Sequence, residues 1–97
     1  MFNVYDNMRE LIPVATDLKH RENGDFLIVA AEDGSIHYLN EVAKEFYLLL
    51  DNDLKITEIV DRLLQEYDVD KKALETDMVE LIRDLQWKKL IRLKELK

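Results

Sequence analysis

Polar turn signals divide the first forty residues into short apolar runs. Asn23-Gly24 separates Leu18–Arg21 from Phe26–Ala31, and Asp33-Gly34 separates that run from Ile36–Leu39. Type I′ hairpin turns need positive φ at both central residues, which Asn-Gly and Asp-Gly supply at little steric cost. Both glycines of the chain fall in these two places. The spacing therefore predicts a three-stranded antiparallel meander. The middle run is apolar on both faces, so it calls for cover on both sides. In the third run Ile36 and Tyr38 share one face and His37 and Leu39 the other. A last strand is an edge, and this one lacks the Pro, Lys or inward charge that guards edges. On this reading the N–H of His37 faces the open edge, so a Pro there would disturb binding more than folding.

Beyond Leu39 the period changes to that of helices. Asn40 is a preferred N-cap, and Val42, Ala43, Phe46, Leu49 and Leu50 follow at helical spacing. Asp51-Asn52-Asp53 ends that helix. Ile56, Ile59, Val60, Leu63, Leu64 and Tyr67 make the second apolar stripe. Asp70 is the expected cap of the third, which carries Leu74, Met78, Leu81, Ile82 and Leu85 and frays near Trp87–Lys89. Leu90–Leu93 reads as an extended tail or a last helical turn. Trp87 projects off the stripe, where it either packs over the tail or serves as an aromatic anchor. Phe2, Met8, Leu11 and Ile12 mark a short helix or arm ended by Pro13. The expected organisation is an N-terminal arm over 1–13 and one α+β domain over 14–97.

Composition narrows the function. The 97 residues have room for one domain. The absence of Cys removes disulfides, thiolate metal sites and a Cys nucleophile. No apolar run approaches membrane-spanning length, and the N-terminus lacks a basic and apolar secretory pattern, so a cytoplasmic protein is expected. The net charge of −7 is uneven: residues 51–80 hold 10 acids and 4 bases, whereas residues 81–97 hold 2 acids and 6 bases. The basic end either complements a helix dipole or greets an acidic partner. The acidic body argues against nonspecific phosphate binding.

The search for chemistry is largely negative. His20 and His37 fall in strands without metal-ligand spacing. Asp61, Glu66, Glu75, Asp77 and Glu80 pattern as solvated helix faces. There is no glycine-rich phosphate loop or nucleophile elbow, and Ser35 sits in a turn without a paired base. No catalytic residue, cofactor or metal is expected.

The order of elements carries a resemblance. Gly34-Ser35-Ile36-His37-Tyr38-Leu39-Asn40 resembles the Gly-x-x-x-x-Leu-Asn segment of PqqD-like proteins. Phe46–Asp51 with Ile56-Thr57-Glu58-Ile59-Val60 is similar to their leucine-rich helix followed by Thr-Val-x-Glu-Ile. Tyr67-Asp68-Val69, the run Asp77–Leu85 and Leu90-Ile91 resemble their ending. The likeness spans about residues 14–93. Asn52 stands where Gly is usual, Lys55 replaces a capping Thr or Ser, and Lys89 replaces the Gly before Leu-Ile.

The resemblance implies a RiPP recognition element with a winged-helix-like fold. Such domains bind the leader segment of a ribosomally made precursor peptide and present it to a modifying enzyme, often a radical-SAM protein. It implies that the leader adds as a strand to the third strand and lies against the third helix. The candidate peptide-binding set is then Ser35, Ile36, His37, Tyr38 and Leu39 on the strand, with Met78, Leu81, Ile82, Arg83, Leu85 and Lys88 on the helix. Arg83 and Lys88 suit an acidic leader. Most of the apolar helix residues are also needed for the core. The rivals are a winged-helix DNA reader, which the acidic total opposes, and a dimerisation domain that pairs through the free edge. The chain is thus expected to engage neither nucleic acid nor membrane and to be a monomer or dimer.

Overall fold

The computed structural model describes residues 4–17, 19–51 and 53–95. Phe2, Leu18 and Asn52, named above, lie outside them. The elements run α1 (Val4–Met8), β1 (Ile12–Ala15), β2 (Lys19–Asn23), β3 (Phe26–Ala30), β4 (Ile36–Leu39), α2 (Glu41–Leu48), α3 (Ile56–Glu66), α4 (Lys71–Trp87) and β5 (Ile91–Lys94). β2, β3 and β4 form an antiparallel meander with β3 central and β4 at one edge. The three helices that follow cover its inner face, giving the expected α+β class.

Both hairpins form, with turns other than type I′. Asn23 pairs with Phe26, so the first loop is Gly24-Asp25. Gly24 has φ 62, while the one described non-glycine residue at positive φ is Lys89. Positive φ at the first loop residue alone matches a type II′ turn. In the second hairpin Gly34 donates to Ala31 (3.0 Å) and Ala31 to Ser35 (2.9 Å), with Gly34 at φ 90. That is a three-residue loop with the glycine in the left-handed position.

The helix caps follow the sequence. Asn40 accepts from the Ala43 N–H (3.1 Å) and Asp70 from the Ala73 N–H (3.1 Å). Lys55 cannot accept, and α3 starts instead with the Glu58 carboxylate taking the Lys55 N–H at 2.9 Å. The core gathers Leu27, Val29 and Leu39 from the sheet with Phe46, Ile59, Leu63, Met78, Ile82 and Leu85 from the helices, all buried. Each such side chain contributes about 1.5–3 kcal/mol relative to exposure.

Residues 4–13 pack with the body and not as a separate arm. Tyr5 and Met8 are buried in the same core. β1 pairs with β5 from Ile12↔Lys94 to Ala15↔Ile91, so the tail is extended from Ile91 on, while Leu90 still bonds back to the helix. Pro13 is tolerated because this two-stranded ribbon is all edge.

Candidate functional site

Among the described residues β4 has one neighbour, β3, so its outer side is an unpaired sheet edge. Which peptide groups face outward follows from one bond. Ala31 donates to Ser35, so that opposite pair is hydrogen-bonded. Antiparallel pairs alternate between bonded and non-bonded. Val29↔His37 and Leu27↔Leu39 are then bonded pairs, and Ala30↔Ile36 and Ile28↔Tyr38 are not. The N–H and C=O groups of Ile36 and Tyr38 therefore point away from β3. Those of His37 point inward, which corrects the expectation drawn for that residue.

At the start of the edge, Asp33, Ser35 and His37 form a chain. The Ser35 hydroxyl donates to Asp33 Oδ1 (2.6 Å), and the Ser35 N–H donates to the same oxygen (3.0 Å). These two bonds, aided by the charge of Lys89, hold the Asp33 carboxyl below its usual value. The single hydroxyl proton of Ser35 is committed to Asp33. His37 Nε2, 2.9 Å away, must then donate to Ser35 Oγ, and it does not act as a base on it. The arrangement rigidifies the turn and activates no nucleophile. Among the described residues no group of His, Asp and Glu converges as a metal site, and no helix is long and apolar enough to cross a membrane.

The side chains of the predicted set divide sharply. Ile36 and Tyr38 are 54% and 66% exposed, Ser35 and His37 are half-buried, and Leu39 is buried. On α4, Met78, Ile82 and Leu85 have no exposed surface and belong to the core. Leu81 is only partly buried. Lys88 lies seven residues on, near two full turns, and so shares the Leu81 flank. It is held by Asp84 at 2.7 Å. Arg83 is exposed and sits roughly 200° round the helix from Leu81, so it does not join them. Trp87 is 86% exposed and does not pack over the tail.

The end of α4 adds a residue whose side chain the sequence reading set aside. Lys89 has φ 62 and ends the helix in a Schellman motif: Lys89 N–H donates to Gln86 (3.0 Å) and Leu90 N–H to Leu85 (2.9 Å). Its charge adds to the lowering of the Asp33 carboxyl in the turn before β4. The available signal was a lysine where the family pattern has glycine.

A latch of hydrogen bonds ties the end of α4 to α2 and to the residues after β1. Tyr47 donates to Asp17 (2.6 Å) and lies 3.2 Å from the Leu90 carbonyl, while Thr16 donates its N–H to Leu90 (2.8 Å) and its hydroxyl to Lys89 (2.8 Å). His20 meets Asp17 at 2.9 Å and packs edge-on to the Tyr47 ring. Burial, then the Asp17 carboxylate, push the Tyr47 hydroxyl far above its usual value. Burial pushes Asp17 up, but the bonds from Tyr47 and His20 outweigh it and leave its carboxyl below its usual value.

The family described as Coenzyme PQQ synthesis protein D (PqqD) matches residues 25–91 of this chain. The span includes β4 and α4 entire. A solved structure, described as TbiB1 in complex with the TbiA(beta) leader peptide, superposes with a TM-score of 0.74 at 26% identity. The match covers 81% of this chain and 94% of that one. No curated protein sequence matches significantly.

Proposed function

This chain belongs to the PqqD family, and we propose that it is a winged-helix-like RiPP recognition element that binds the leader segment of a precursor peptide as an added strand on β4. One observation carries the reading: Ile36 and Tyr38 hold two N–H and two C=O groups outward on an edge without protective charge or Pro. An extended peptide satisfies them with main-chain hydrogen bonds, and its alternate side chains supply specificity. On this reading the leader's inward side chains meet the partly buried Leu81 and Lys88 flank of α4. Lys89 adds a cation at the start of the edge. The similarity to a protein solved with its leader peptide supports the same occupant.

The chain acts without catalysis of its own, as a cytoplasmic adaptor that delivers the leader to a modifying enzyme of radical-SAM type. Reading of duplex DNA by α4 is disfavoured by Asp77, Glu80 and Asp84 exposed along that helix. The test is titration with the leader peptide encoded by a neighbouring small open reading frame. Saturable micromolar or tighter binding, insensitive to added duplex DNA, is expected. A leader that never saturates in that range contradicts the reading.

A further inference from the structure

Strand addition at the β4 edge leaves the outer face of the sheet unused. Directly opposed residues of a sheet point to the same side. Arg21 pairs with Ile28 and Ile28 with Tyr38; Lys19 pairs with Ala30 and Ala30 with Ile36. The outer face is thus Phe26, Ile28, Ile36 and Tyr38, bounded along β2 by Lys19 and Arg21. Phe26 is 51% exposed, Ile36 54% and Tyr38 66%. A hollow lined by Lys19, Arg21, Ile28 and Ile36 runs across it. Contiguous exposed apolar surface of this kind marks an interaction site.

The charge on this face is as telling. The chain has 21 acidic residues and a net charge of −7, yet none of these outward positions is acidic. Among the described residues neither Lys19 nor Arg21 has an ion-pair partner. Cations at the rim of an apolar face select a partner with carboxylates opposite them, and they speed its encounter. A twofold pairing of this face with itself supplies no carboxylate to either cation.

We propose that this outer face docks a protein partner whose surface has an apolar centre and carboxylates set against Lys19 and Arg21. Resting on the leader-binding reading, that partner is the enzyme that modifies the precursor. A leader strand on β4 lies about 4.8 Å beyond it and extends the same sheet. Its alternate side chains emerge beside Ile36 and Tyr38. The partner then touches chain and leader together, so the leader-loaded chain binds it more tightly than the empty one.

The experiment compares the wild type with Phe26→Ser and Arg21→Glu, two exposed positions on β3 and β2 away from the β4 edge. Each is titrated with the leader peptide, and with the purified modifying enzyme encoded beside the precursor, with and without leader. Leader affinity should stay within about twofold, while enzyme affinity falls by about tenfold or more in each variant, the usual scale for a central anchor or a complementary charge. Arg21→Glu, a solvent-exposed change, keeps the test valid should Phe26→Ser fold poorly. Unchanged enzyme affinity in both variants overturns the proposal. So does a wild type that binds leader but not enzyme, or a dimer that both variants abolish. A wild type that binds enzyme through this face but never binds leader overturns the leader reading alone.

Discussion

The Ala31 N–H donates to the Ser35 carbonyl across 2.9 Å, and this bond sets the phase of the β4 edge. It turns the peptide groups of Ile36 and Tyr38 outward and those of His37 inward. A one-residue change of phase would offer a partner strand different peptide groups on the same edge.

Proline substitutions separate the two positions. Tyr38→Pro removes an outward N–H and should abolish most leader binding with a modest loss of stability. His37→Pro removes a ladder bond to β3 and leaves its acceptor unpaired, which should destabilise the domain by about 1–3 kcal/mol. Paired urea melts and leader titrations of the two variants check this order.

Lys89 occupies a left-handed position at φ 62. A non-glycine residue there costs about 1 kcal/mol, so Lys89→Gly should raise stability by about that amount in chemical denaturation. The same change removes the cation near Asp33 and should weaken binding of an acidic leader. Stability and affinity moving in opposite directions identify a residue kept for recognition.

Tyr47→Phe strips a donor from Asp17, whose side chain is 8% exposed. Leaving that carboxylate short of a partner should cost about 1–3 kcal/mol. The pH dependence has a definite sign. The Asp17 carboxyl is lowered in the folded state, so its stabilisation is complete above the ordinary Asp value of about 3.9 and is lost as pH falls through its folded value. The gap between wild type and Tyr47→Phe should therefore be largest near neutral pH and shrink below about pH 4, as urea melts at the two ends would record.

On α4 the predicted residues should part company. Leu81→Ala should weaken leader binding several-fold with little loss of fold. Met78→Ala, at a site without exposed surface, should cost about 2–5 kcal/mol. Arg83→Ala should leave affinity and stability unchanged, since it lies on another side of the helix from Leu81.

The meander and the long helices were legible because their signals are local: glycine turns, alternation, caps and apolar stripes. Asn40 and Asp70 cap as their types suggest. The β1–β5 ribbon was not legible, because Ile12–Ala15 and Ile91–Lys94 are short, contain Pro13, and pair across most of the chain. Turn type escaped as well, since the pairing Asn23↔Phe26 moved the loop one residue onward. For the site, sequence located the edge strand but not its phase. An apolar stripe also does not reveal that Met78, Ile82 and Leu85 are wholly interior while Leu81 keeps an open flank.

Amide hydrogen exchange at single-residue resolution, with and without leader peptide, tests the central claim most directly. The Ile36 and Tyr38 amides should slow markedly on leader addition, while the His37 amide, already bonded to β3, changes little. Saturable binding that protects neither Ile36 nor Tyr38 would contradict strand addition at β4.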